Sequence, residues 1–435
     1  MPPADVPDRY HGLDALRGFA MFLGVVLHAA IPYLHNPVPF WPVRDDHGSP
    51  LFDVFLLAVH DFRMQVFFLL AGFFGALLYA RHGIGGTARH RLKRIALPFA
   101  LAMVTIQPAL QAVTVYAASA AYRENPAHVY GPPGFAEVLA AGDSPIGAVA
   151  HHFLSGSFLR YMVPAHLWFL WYLLIFFAVM LPLARVADRL RDRTPGRWWD
   201  IVTRRLFQSP LRWLLLAGVT WFLLLPMTGP GGIDTQLGWV PNVPLLVYYF
   251  LFFVVGWTLY RHRDQLTRFA AGWRFALVVG NLIVFPVGLV AFGVSNNPGE
   301  AGVVHVRTWH QVSLAALGLY TWLMVGGLLG LFLRHLSGER AWVRWLADSS
   351  YWCYLASVPP VILFQYAIVT WDVPAVVKFA AVTAATTAVL LASYHWLVRY
   401  SWIGRLLNGP RERQTRDAPA FASSAIPAVS GRITG

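Results

Sequence analysis

Apolar runs of about twenty residues recur from one end of this chain to the other, and nothing else in the sequence limits its fold so strongly. A run of that length is what a helix needs to cross a hydrocarbon layer of about 30 Å. Ten spans can be read, at about 15–34, 51–80, 95–118, 165–184, 211–227, 243–260, 274–294, 312–333, 346–368 and 376–398. The expected fold is an all-α, polytopic transmembrane bundle. Composition agrees: 57% of the residues are hydrophobic and only 13% are charged, which excludes a soluble fold. The opening MPPADVPDRYHG is short and polar, and the apolar stretch after it has no small-residue cleavage site. A cleavable signal peptide is therefore not expected.

The formal charge of +13 could suggest a nucleic-acid partner, but its distribution points elsewhere. With the N-terminus in the cytoplasm, only Arg44, Arg63, Arg123, Arg160, Arg307 and Lys378 of the 34 basic residues fall on the outer side. The positive-inside rule then puts both termini in the cytoplasm. We expect one integral domain, 1–407, and a disordered tail, 408–435, rich in Pro, Ala, Ser and Arg. The outer loop 119–164 is the longest, and either a functional loop or a partly helical cap fits it. Trp41, Trp239 and Trp309 sit near loop ends, as interfacial anchors do. The segment 185–210 is basic with interspersed acids and reads as an amphipathic helix on the inner surface. Cys353, the single cysteine, excludes an intramolecular disulfide and is expected to serve packing.

Within the first span, LDALRGFAMFLGVVLHAA, eleven residues separate Arg17 from His28. Eleven steps of about 100° return almost to the same azimuth, so both side chains share one helix face. His28 then lies roughly 16 Å deeper than Arg17. Ionisable groups at such depth are costly and are functional candidates; the competing explanation is a snorkelling arginine and a packed histidine. Asp14, three residues before Arg17, can pair with it.

After the second span a glycine-rich turn, Gly83 to Gly86, precedes Arg89, Arg91, Lys93 and Arg94. Spacing of three puts Arg91 and Arg94 on one helical face, where paired guanidinium groups can grip a phosphate. A stop-transfer cluster would look the same. His60, Asp61 and Arg63 stand at the outer start of HDFRMQVFFLLAGFFGALLY, where Asp61 or another polar group is expected to face Arg63, with helix-end anchoring as the competing explanation. His166 opens the aromatic run HLWFLWYLL. No HExxH, CxxC or His–Asp cluster with ligand spacing occurs, so no catalytic metal and no bound cofactor are expected. LSGSF around Ser157 lacks the spacing of a nucleophile elbow.

Together these pieces resemble the membrane-bound acyltransferase-3 family, which includes periplasmic glucan succinyltransferases and polysaccharide O-acetyltransferases. The resemblance rests on the Arg–ten residues–His motif (Arg17, His28), on FRMQVFFLLAGFF, on RLKRIALP with its Arg-x-x-Arg step (Arg91, Arg94), on HLWFLWYLL and on DSSYWCYLASVPP. One departure is Ser357, where the family often has His. The resemblance implies a multi-pass enzyme of the bacterial inner membrane that moves an acetyl or succinyl group to a sugar hydroxyl outside. The donor would be cytoplasmic acyl-CoA, with Arg91, Arg94 and Arg17 near its phosphates. His28 would be the catalytic residue, either as general base or as acyl carrier. Arg63 and His166 become acceptor-side or oxyanion candidates by motif match alone, and Asp61 and Asp14 supporting ones. The FRM variant favours succinyl transfer to a periplasmic glucan. Expected partners are the acyl-CoA donor, a glycan or glycolipid acceptor and the lipid bilayer, with a homodimer left open and no nucleic acid. A transporter or flippase of an acyl or glycolipid group is the competing class; the paired, broken midplane segments of transporters are not visible.

Overall fold

The computed structural model describes residues 10–125, 131, 134–191, 193–227, 233–296 and 303–409. The expected tail 408–435 lies outside them from residue 410 onward, as does part of the 119–164 loop. Among the described residues the chain is helical with no strand, apart from an isolated bridge between Leu34 and Ser49. In order come α1 (His11–Ala30), α2 (Pro50–Arg91), α3 (Leu97–Val104), α4 (Ile106–Glu124), α5 (Phe135–Ala140), α6 (Pro145–Leu154) and α7 (Ser157–Arg160). They are followed by α8 (Trp168–Leu190), α9 (Thr194–Gln208), α10 (Arg212–Leu224), α11 (Val243–Arg261), α12 (Leu266–Phe269) and α13 (Trp273–Val279). The last are α14 (Phe285–Asn296), α15 (Val303–His335), α16 (Ala341–Ala356), α17 (Val358–Ile368), α18 (Ala375–Ser393) and α19 (Trp402–Asn408).

Among the described residues, seven helical segments are long and apolar enough to cross a membrane, or eight if the pair α16–α17, bent by 69°, forms one span. The expected ten differs for two reasons. The spans read at 51–80 and 95–118 belong to one helical run, Pro50–Glu124, and α10 has 13 residues, short of a crossing length. The expected glycine-rich turn is a kink instead. Gly83 adopts φ 63°, a region that side chains with a Cβ avoid, and the helix continues beyond it to Arg91.

Small residues set the packing, as they do where lipid removes the hydrophobic drive between helices. Gly72 of α2 lies against the Phe253 carbonyl of α11, and Gly256 of α11 lies against the Leu69 carbonyl of α2. The two backbones therefore touch at both positions. Along α1, a Cβ on Gly12 would sit 2.8 Å from the Phe332 carbonyl oxygen of α15, and one on Gly18 would sit 3.2 Å from Ala347 of α16. A Cβ on Gly24 would collide with the Arg63 guanidinium of α2. So α1 is wedged between α2, α15 and α16. The apolar stretches of α13–α14 and α18 are only 22% buried, against 78% for α15, so the former are peripheral and α1 is interior.

The described part of the 119–164 loop forms a helical cap: Phe135, Val138, Leu139 and Ala148 bury against Val115 and Ala118 of α4. The basic 185–210 segment yields the amphipathic α9, which exposes Trp198, Trp199 and Ile201. Its acidic residue Asp200 pairs with His262 at 3.2 Å, and Arg204 pairs with Asp264 at 3.0 Å, so α9 is tied to the end of α11. Cys353 is fully buried in α16.

Candidate active site

Three prolines determine how the interior helices are stitched together. A proline has no N–H, so the carbonyl four residues before it loses its usual helical partner. In an apolar layer that carbonyl must find another donor. Pro32 frees the His28 carbonyl, which takes a hydrogen bond from Gln365 Nε2 of α17 at 2.8 Å besides the tight-turn bond from Ile31. Pro98 frees the Arg94 carbonyl, to which the Tyr351 hydroxyl of α16 donates at 2.9 Å. Pro359 frees the Leu355 carbonyl at the α16–α17 bend, and His166 Nε2 bonds it at 3.1 Å. Each bond carries a side chain from a distant helix to the same interior region.

One end of this region is built around His28. Its part-buried imidazole stacks on the Trp41 indole, with ring centroids 5.8 Å apart and planes 22° apart. Trp41 is in turn fixed by its Nε1–H donating to Gln365 Oε1 at 2.9 Å. Gln365, fully buried, thus holds both the backbone of His28 and the ring above it. Trp41 is 7% exposed, so it is not the interfacial anchor expected from its place in the loop. The loop carrying it is pinned by a buried ion pair, Lys378 Nζ to Asp45 at 2.6 Å. His28 Nδ1 is shielded from solvent and has no hydrogen-bond partner.

Arg63 approaches His28 from α2. Its guanidinium lies on Gly24, one helical turn from His28 on the same face. Arg63 and His166 are both within electrostatic reach of His28, and Tyr249 and Tyr354 within reach of Arg63. Arg63 Nε has no partner, and among the described residues no carboxylate pairs with this arginine. Of the partners expected for Arg63, Asp61 is therefore not the one, and the polar groups near it are Tyr249 and Tyr354. Residues two apart project from nearly opposite sides of a helix. Arg63 faces α1, while Asp61 faces a pocket bordered by α14 and α15, lined by Phe285, Gly288, Ser313 and Tyr320. Nor do His60, Asp61 and Arg63 mark the start of their helix. α2 begins at Pro50, capped by Ser49, which sets Arg63 roughly 20 Å along it.

The other end gathers cations. Arg17 pairs with Asp14 at 3.2 Å, as expected, lies over the Phe74 ring at 5.9 Å, and remains 38% exposed. Arg91 stacks on Phe177 at 4.5 Å, and its Nε is buried without a partner. Arg17 and Tyr351 are within electrostatic reach of Arg91. A π-helical turn, Leu92–Ala96, lies between Arg91 and Arg94, and both are within electrostatic reach of the Tyr351 hydroxyl. Arg94 Nη1 then donates to the Arg405 and Leu406 carbonyls at 2.7 and 2.6 Å, closing the end of α19. That nitrogen holds the fold together, whereas Arg91 is free of such work.

His166 does open α8, in a short turn Ala165–Leu167, but it is not a surface residue. Tyr354 donates its hydroxyl to the His166 carbonyl at 2.9 Å, and the two rings meet edge to face at 6.2 Å. Tyr351 and Tyr354, one turn apart on α16, thus reach the two ends of the region in succession. Gln365, Tyr351 and Tyr354 escaped the sequence reading, as did the place of Trp41 in the site, although both tyrosines lie within the quoted DSSYWCYLASVPP. Ser357, buried at the α16–α17 break, donates to the Tyr354 carbonyl at 3.4 Å and offers no imidazole there. Among the described residues no group of three His, Cys, Asp or Glu side chains could hold a metal.

An all-helical bundle with apolar spans, and an imidazole and unpaired guanidinium groups on its interior helices, defines an integral membrane protein with a site for polar chemistry inside it. The profile of the acyltransferase-3 family, described as "Acyltransferase domain", matches residues 10–395, and the chain belongs to that family of membrane acyltransferases. It is 32% identical over 95 residues to "Glucans biosynthesis protein C" of Escherichia coli strain SMS-3-5, covering 22% of this chain and 24% of that protein. Against the protein of the same name from Salmonella agona strain SL483 it is 22% identical over 360 residues, covering 82% of this chain and 83% of the relative. The chain thus spans about a quarter of the first relatives it matches and most of the second group. No solved structure matches it.

Proposed function

We propose that this protein transfers an acyl group, acetyl or succinyl, from cytoplasmic acyl-CoA to a hydroxyl of a glucan outside the bacterial inner membrane. The reading carries the topology with it: both termini inside, and ten crossings once the two arms of Pro50–Glu124 and the short α10 are each counted. The observation that carries it is the ridge of α1. Arg17, beside the unpaired Arg91, stands at one end, and His28, beside Arg63 and His166, stands at the other. Coenzyme A matches such a ridge in chemistry and length. Its phosphates suit guanidinium groups, and its thin pantetheine arm can reach roughly 16 Å to a histidine. Histidine's ordinary pKa of about 6.5 suits a base or acyl carrier near neutrality. The relatives' name, which concerns glucan biosynthesis, supports a glucan as acceptor.

The direct test uses the purified protein with acyl-CoA and a glucan, following free CoA thiol and the acyl mass added to the sugar. Thiol release that requires both substrates supports transfer. An unmodified glucan, with acyl-CoA or glycolipid moved intact across a vesicle membrane, would favour a transporter instead.

Two variants separate the roles of the cationic end. Arg91→Ala is expected to weaken acyl-CoA binding about tenfold or more, the scale of one charged hydrogen bond, without lowering the melting temperature. Arg94→Ala is expected to lower both, because its Nη1 closes α19. Unchanged affinity in the Arg91 variant would put the donor phosphates elsewhere. For topology, Glu137→Cys sets an exposed thiol in the cap, while the native Cys353 is buried and silent. It should react with an impermeant maleimide on intact cells stripped of their outer membrane; reaction only after lysis would invert the orientation.

A further inference from the structure

The imidazole of His166 is held in a single tautomer. Its Nε2 lies 3.1 Å from the Leu355 carbonyl oxygen, which can only accept, so Nε2 carries the hydrogen. In the neutral ring Nδ1 is then a bare lone pair. That Nδ1 is buried and has no hydrogen-bond partner. An unsatisfied acceptor inside a protein is costly, on the order of 1–3 kcal/mol, and calls for a reason.

The backbone adds a second sign of cost. Ala165, immediately before His166, has φ 45°, the one left-handed non-glycine conformation among the described residues. For alanine this region is strained. Strain of this kind persists where the surroundings over-determine it, often at functional sites. Here the surroundings are visible. Ala165 N–H bonds the Leu237 carbonyl at 3.0 Å on one side, and Tyr354 holds the His166 carbonyl on the other. The Leu355 carbonyl exists as a free acceptor only because Pro359 lacks an N–H. The ring is thus held by its bond to the Leu355 carbonyl, and the backbone around it by Leu237 and Tyr354, while Nδ1 is left unused.

Resting on the acyl transfer proposed above, we infer that His166 Nδ1 is the base that takes the proton from the acceptor hydroxyl. As that proton moves to Nδ1, the sugar oxygen forms its bond to the acyl carbon. The bond that breaks is the acyl–N bond to His28, which has first taken the acyl group from the thioester and released the CoA thiol. The proton then passes from His166 to the departing imidazole of His28, so both rings are regenerated and no other reactant is required. Two histidines with different duties resolve a difficulty of a one-histidine site: a His28 that carries the acyl group cannot also deprotonate the acceptor. His166 lies within electrostatic reach of His28.

The test uses His166→Gln in the full-length protein. A glutamine amide can keep an N–H on the Leu355 carbonyl but has no base where Nδ1 stood. With acyl-CoA and glucan, the variant is expected to lose about 10²-fold or more in transfer, the scale of a missing general base. With hydroxylamine as acceptor, which needs no base to attack, it should stay within a few fold of wild type. Equal loss with both acceptors would mean a structural role and overturn the inference, as would full glucan transfer. His166→Asn, assayed in the same way, decides the matter if the glutamine protein does not fold. A wild-type protein that leaves acyl-CoA intact would instead overturn the proposed function, which keeps the two failures apart.

Discussion

His28→Ala is expected to reach the membrane and melt near the wild-type temperature, yet to lose acyl transfer by about 10³-fold or more. The two halves of that expectation come from different atoms of one residue. The backbone carbonyl of His28 receives the Gln365 bond, and alanine keeps it. The imidazole contributes a stack on Trp41 and no hydrogen bond through Nδ1, so its removal loses packing on one side of a part-buried ring. Trp41 itself stays tethered through Gln365. The chemistry has no such reserve. Removing a base costs about 10²–10⁴-fold, and removing an acyl carrier closes the two-step route altogether. Thiol release from acyl-CoA, compared between the variants in one detergent, measures the loss. Transfer within tenfold of wild type would remove His28 from the chemistry.

The bundle and the ridge of α1 were legible because both follow from spacing along a single helix. Apolar runs report span length, and an interval of eleven residues reports a shared face wherever the helix is straight. What lies across a helix interface is a different matter. Gln365 is separated from His28 by 337 positions and from Trp41 by 324, and no periodicity connects them. Arg94 was only half legible: its spacing from Arg91 could be read, but not its bonds to the Arg405 and Leu406 carbonyls, 311 and 312 positions away. Of the groups expected opposite Arg63, Asp61 is excluded by helix geometry, since residues two apart face opposite ways, and the alternative of another polar group is met by Tyr249 and Tyr354 within electrostatic reach.

Part of the missing information was nevertheless written in the chain. Pro32, Pro98 and Pro359 each stand four residues after a carbonyl that the structure uses to recruit a side chain from another helix. A proline inside an apolar run announces an orphaned acceptor, and a buried Gln, Tyr or His elsewhere is the natural donor. Such prolines say where an interior hydrogen bond must form, though not with which partner. Read in this way, they would have drawn attention to the Leu355 carbonyl and to the helix break beside Ser357.

Arg63 should show the opposite sign for stability and for activity. Its guanidinium is seated on Gly24 with Nε unpartnered and no carboxylate beside it among the described residues. A charge so placed within a span is a liability of about 2.5 kcal/mol or more unless something repays it. Replacing a buried, uncompensated charge by a neutral side chain of similar volume is often neutral or stabilising. Arg63→Met is therefore expected to melt at or above the wild-type temperature. A preorganised cation one turn from His28 is also suited to hold the oxyanion that forms when a thioester is attacked, and loss of one such donor costs about 10²–10³-fold. The same variant should accordingly fall by that factor in kcat, with acyl-CoA affinity unchanged because the donor phosphates lie at the other end of α1. Gly24→Ala approaches from the opposite side, displacing the guanidinium while leaving both it and His28 in the chain, and should lower kcat in the same direction. A lowered melting temperature with normal kcat in Arg63→Met would make the arginine a packing element. A rise in stability coupled to lost turnover would mark it as strain kept for the reaction.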